Sequence, residues 1–66
     1  MKLKELWEHF FNYPSHLQVR VDGKIKTITD FLKMEQMIDK YADYIVTAWK
    51  ATDTIDGSYD LIVVIE

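Results

Sequence analysis

At 66 residues the chain has room for one small domain with a single core, and with no cysteine it has no disulfide to staple that core. Hydrophobic residues at 48% and aromatics at 14% argue against disorder, while a formal charge of −3 supplies no basic face for direct nucleic-acid binding. No apolar run approaches the roughly 20 residues that span a bilayer and none resembles a signal peptide, so a cytoplasmic setting without membrane contact is expected.

Leu3, Leu6, Trp7, Phe10 and Phe11 recur at helical spacing, with Lys4, Glu5, Glu8 and Asn12 on the opposite side, and predict an amphipathic first helix. Tyr13-Pro14 ends it, because proline cannot continue the hydrogen-bond ladder and restricts the residue before it. Leu17, Val19 and Val21 then alternate with Gln18, Arg20 and Asp22 as a strand that turns at Asp22-Gly23. A two-residue turn there would set Val19 opposite Lys26 and mix core and solvent faces. A three-residue loop, Val21 to Gly23, sets Val19 opposite Ile25 and Leu17 opposite Thr27, and is the register expected. Arg20, Lys24 and Lys26 then share the outer face and tip of the hairpin.

Thr29 is the expected N-cap of a second helix running to about Ala42, with Asp30 in its first turn. Phe31, Met34, Met37, Ile38 and Tyr41 form its apolar arc, and Leu32 lies off it as a staple against Ile28 or exposed. Tyr44 to Thr52 and Tyr59 to Glu66 read as two more strands. Tyr59, Leu61, Val63 and Ile65 mark one face of the last strand and Ile62 and Val64 the other, more apolar surface than so short a chain readily covers. The expectation is a single α+β domain over residues 1–66, in α-β-β-α-β-β order, with a four-stranded, mainly antiparallel sheet packed by two helices.

Candidate binding residues fall in three groups. Tyr44 and Trp49 sit on opposite faces of the third strand, where both faces carry apolar bulk and one looks outward; both are candidate partner anchors, against coverage by the protein's own helices. Glu35, Asp39 and Asp43 follow at helical spacing as an acidic stripe; with Asp53, Asp56 and Asp60 they offer carboxylates to a basic groove, against a solvated helix face as the plainer reading. The second acidic set surrounds Gly57 but fails the EF-hand spacing, and reads as a hairpin loop rather than a calcium site. Glu5 and His9 are one helical turn apart and His16 returns after Pro14, which makes them candidate ligands of a structural zinc ion, against two unrelated surface histidines.

Enzymatic activity is not expected. There is no cysteine nucleophile and no glycine-rich phosphate loop, and the adjacency of Ser15 and His16 does not make a nucleophile–base pair.

The segments Met1-Lys2-Leu3-Lys4-Glu5-Leu6, Gln18-Val19-Arg20-Val21-Asp22-Gly23 and Asp60-Leu61-Ile62-Val63-Val64-Ile65 together resemble small accessory proteins encoded by phages and prophages of Gram-positive bacteria. That resemblance implies an inhibitor of host defence, of the kind that includes anti-CRISPR proteins binding an RNA-guided type II effector nuclease. The functional expectation is therefore a non-enzymatic phage inhibitor that occludes a larger host protein in the bacterial cytoplasm. The alternative is a structural or assembly homodimer of a phage.

Overall fold

A computed structural model describes all 66 residues, and its elements are α1 (Leu3–Trp7), β1 (His16–Val21), β2 (Lys24–Ile28), α2 (Phe31–Lys40), β3 (Val46–Asp53) and β4 (Tyr59–Ile65). The expected α+β class and element order are present. The sheet order is β2-β1-β4-β3, and its central pair, β1 with β4, is parallel. The sheet is therefore mixed rather than mainly antiparallel. Each hairpin is antiparallel because a short turn allows nothing else, while parallel neighbours need a crossover, which the segment containing α2 supplies.

Alternation places Leu17, Val19 and Val21 of β1 and Leu61, Val63 and Ile65 of β4 on one face, where all six are buried. Leu3 and Leu6 of α1 and Met34 and Ile38 of α2 close over them. Both helices thus lie on one side of the sheet. Of the arc expected on α2, Met34 and Ile38 are core, Met37 and Tyr41 flank it, and Phe31 and Leu32 are exposed.

The first hairpin takes the two-residue turn, correcting the expected loop. Asp22 (φ 52°) and Gly23 (φ 73°) both adopt the left-handed region, and Val21 pairs Lys24, Val19 pairs Lys26 and Leu17 pairs Ile28. Two consecutive positive φ angles are what a type I′ turn demands, and its twist matches that of the flanking strands. Lys24 and Lys26 consequently project on the helix side, not the outer face. The cost is small because Lys24 and Lys26 are exposed on an edge strand, where their amines stay in water. Ile25 takes the opposite face.

The first helix stops at Trp7, well short of Tyr13-Pro14. Its last turn tightens through His9 N–H to Leu6 O (3.1 Å) and Phe10 N–H to Trp7 O (3.2 Å), and Phe10 leaves the helix to stack on Tyr59 at 5.4 Å. At its start, Leu3 and Lys4 donate to the carbonyls of Tyr44 (2.9 Å) and Ala42 (3.1 Å), so tertiary contacts satisfy the free N–H groups of so short a helix. On α2 the N-cap is Asp30, not Thr29: its carboxylate accepts from Leu32 N–H at 2.8 Å.

Replacing Met34 by alanine should remove about 2–5 kcal/mol, leaving a domain of this size largely unfolded in a urea titration. Gly23→Ala should cost about 1 kcal/mol, whereas Asp22→Asn should leave the midpoint unchanged or raise it.

Candidate protein-binding surface

The face of the sheet away from the helices carries no second layer. Pairing arranges it in rows across the strands: Ile25, Arg20, Val64, Ala48; then Thr27, Gln18, Ile62, Lys50; then His16, Asp60, Thr52. Ile62 and Val64 are half-buried by their neighbours in these rows, while Ile25 is 59% exposed on the edge strand. Ile62, Val64 and Ala48 thus lie together on β4 and β3, and the polar His16, Gln18 and Arg20 of β1 separate them from Ile25 on the edge strand. Arg20 Nε donates to Gln18 Oε1 at 3.0 Å, and His16 Nδ1 lies 3.0 Å from Asp60 Oδ1. The face thus carries two cations, Arg20 and Lys50, and the Asp60 carboxylate at its His16 end, against the −3 of the whole chain.

The sequence places Arg20 on this face, as the structure does, but not Ile25 or Lys50. The two-sided apolar pattern of β4 signals the face, whereas assigning Ile25 to it requires the turn register.

Tyr44 and Trp49 do not alternate across one regular strand. A bulge at Thr47, between Val46 and Ala48, resets the phase so that Val46, Trp49 and Ala51 all pair on the helix side. Trp49 stays 49% exposed, its ring edge-on to Phe10 at 5.8 Å, and Tyr44 meets Tyr41 edge-on at 4.8 Å before β3 begins. Neither lies on the open sheet face.

The structure distributes the acidic candidates over separate places. Glu35 turns toward α1, accepting from Trp7 Nε1 (3.3 Å) and the Tyr13 hydroxyl (2.7 Å) through the same oxygen. Asp39 is exposed on α2, and Asp43 lies 3.6 Å from Lys2. Asp53, Asp56 and Asp60 gather at the β3–β4 turn, roughly 25 Å from Asp43 along the eight residues of β3. There Asp56 accepts from Thr54 Oγ1 and from Ser58 N–H (3.2 Å), and the Thr54 bond, first among the causes, holds its carboxyl below the usual range. Such side-chain-to-backbone closure is ordinary turn chemistry.

The three zinc candidates are not brought together. Glu5 accepts from Lys2 N–H at 3.0 Å, His16 pairs with Asp60 on β1 and β4, and His9 is exposed after α1. No three His, Cys, Asp or Glu side chains are grouped so as to hold a metal ion. Ser15 donates to Ser58 at 2.8 Å, so it and His16 have different partners. No helix is long and apolar enough to cross a membrane.

The Glu35 hydrogen bond, with smaller contributions from desolvation and from the Glu35 charge, raises the Tyr13 hydroxyl above its usual value of about 10. A protonated Tyr13 donates this bond, so the contact is intact below the ordinary tyrosine range and is lost as pH rises through the raised value. Burial raises the Tyr59 hydroxyl as well, so ultraviolet titration should show two late-ionising tyrosines, of which only Tyr13 returns to the ordinary range in Glu35→Ala.

The chain matches no protein-family model, and no curated protein or solved structure matches it.

Proposed function

We propose that this protein is a non-enzymatic binding module that engages a larger protein through the uncovered face of its sheet and acts by occupying that surface. The observation that carries the reading is the set of apolar side chains Ile25, Ile62 and Val64, interleaved with Arg20, Gln18 and Lys50, with no element of the chain over it. A standard interface takes about 800 Å² from each partner, roughly a sixth of the 4675 Å² that this molecule exposes. One face of the four-stranded sheet supports a contact of that order without rearrangement of the core.

The partner class rests on the resemblance to phage accessory proteins, which points to a host defence protein and first to an RNA-guided type II effector nuclease. Occlusion asks no chemistry of the inhibitor. Arg20, between Ile25 and Val64, and Lys50, beside Ile62, would face acidic side chains of the partner, with the apolar side chains packed around them.

The test is inhibition of target cleavage by a purified type II effector, with the wild-type chain and Ile25→Asp compared. Because Ile25 is exposed on an edge strand, the variant should melt within about 0.5 kcal/mol of wild type yet bind at least tenfold more weakly. Equal inhibition by the two proteins would remove the sheet face from the mechanism, and no inhibition by wild type would remove the nuclease. A solution mass of twice 7.9 kDa that Ile25→Asp returns to the monomer would replace the reading with a homodimer.

A further inference from the structure

On the helix side, between α1 and the segment that follows it, lies a cavity of about 240 Å³ that the open sheet face does not involve. Trp7, Phe10, Phe11 and Tyr13 supply its aromatic walls, Glu8 and Glu35 its charges, and no basic side chain lines it. Trp7 and Tyr13 stand 5.9 Å apart at 61°, so they form a corner rather than a stack, and such an inclined pair hides one ring face at most. Phe31, tilted against Tyr13 at 5.5 Å, backs that ring.

Glu35 is held in place within this corner. Trp7 Nε1–H and the Tyr13 hydroxyl both converge on Oε1, which leaves Oε2 with its lone pairs free for another donor. Two neutral donors orient the carboxylate without cancelling its charge. Fixed aromatic rings beside a fixed carboxylate, with a second carboxylate at the exposed rim, form an environment for a flat cation.

We infer that the Trp7–Tyr13–Glu35 corner binds the guanidinium of an arginine side chain presented by a partner protein. Guanidinium is favoured over ammonium because it stacks on ring faces and presents a planar fork of N–H donors to a carboxylate. The volume is below the ~300 Å³ from which small-molecule sites begin, and it suits one projecting side chain. Glu8 and Phe11 are exposed, so the cavity opens at the surface where such a side chain would enter. The inference rests on the binding-module reading for the source of the arginine, and on the corner's own geometry for the chemistry.

The experiment follows the Trp7 indole N–H resonance while N-acetyl-arginine amide is added to the full chain. Lysine and citrulline analogues serve as cationic and neutral comparisons. A saturable shift with Kd on the order of millimolar is expected, several-fold weaker with the lysine analogue and absent with citrulline. Glu35→Gln keeps an oxygen acceptor for Trp7 and Tyr13 but removes the charge, and should weaken binding about tenfold, whereas Asp22→Asn, in the β1–β2 turn, should leave it unchanged. An equal shift with citrulline, an unaffected Glu35→Gln, an equal loss in Asp22→Asn, or no saturation would each overturn the site. The titration contains no partner, so its failure leaves the sheet-face reading standing, and failure of the Ile25→Asp comparison leaves this site standing.

Discussion

The parallel pairing of β1 with β4 is the constraint on which the remainder of this small structure rests. It joins two hairpins into one sheet and sets Leu17 and Val19 beside Leu61 and Val63, four of the most completely buried side chains in the molecule. The chain has no disulfide to fall back on, so its cooperativity depends on closing helices over that central pair. Met34 and Ile38 from α2 and Leu3 and Leu6 from α1 complete the closure, and every one of these side chains is apolar.

A two-layer arrangement of this size can cover only one face of the sheet. The helices take the face bearing Val63 and Ile65, and the opposite face, with Ile62 and Val64, keeps only the lateral shelter of Gln18, Arg20, Ala48 and Lys50. The half-burial of Ile62 and Val64 follows from their central position, not from any layer above them. Meanwhile the edges are managed by different means. Lysines stand along β2, and a bulge interrupts β3 near its start.

The aromatic residues do a second kind of work. Phe10 leaves the helix at its first opportunity to stand between Trp49 and Tyr59, and this contact ties the segment after α1 to the β3–β4 hairpin. The Tyr59 hydroxyl donates to the carbonyl of Asn12, and Ser15 N–H donates to Tyr59 O at 2.8 Å, so a stretch without regular structure is fixed by its neighbours. Because that stretch is held, Tyr13 can meet Trp7 and Glu35 in a defined corner.

The α+β class, the order of elements and the two-faced character of β4 are legible in the chain, because each follows from a local period of hydrophobicity; the apolar arc of α2 is legible in part, with Met34 and Ile38 in the core and Phe31 exposed. The remaining features come from tertiary contacts. The apolar spacing of Phe10 and Phe11 is helical, yet the helix ends at Trp7, since partners distant in sequence compete for Phe10. The face of Trp49 depended on a bulge that leaves no mark in residue type, and the face of Ile25 on a turn whose two-residue form looked wrong only while Lys26 was assumed to need the solvent side. The parallel centre, the uncovered face and the union of Trp7, Tyr13 and Glu35 arise from contacts between segments up to 44 residues apart, and periodicity, being local, carries no information about which segments meet.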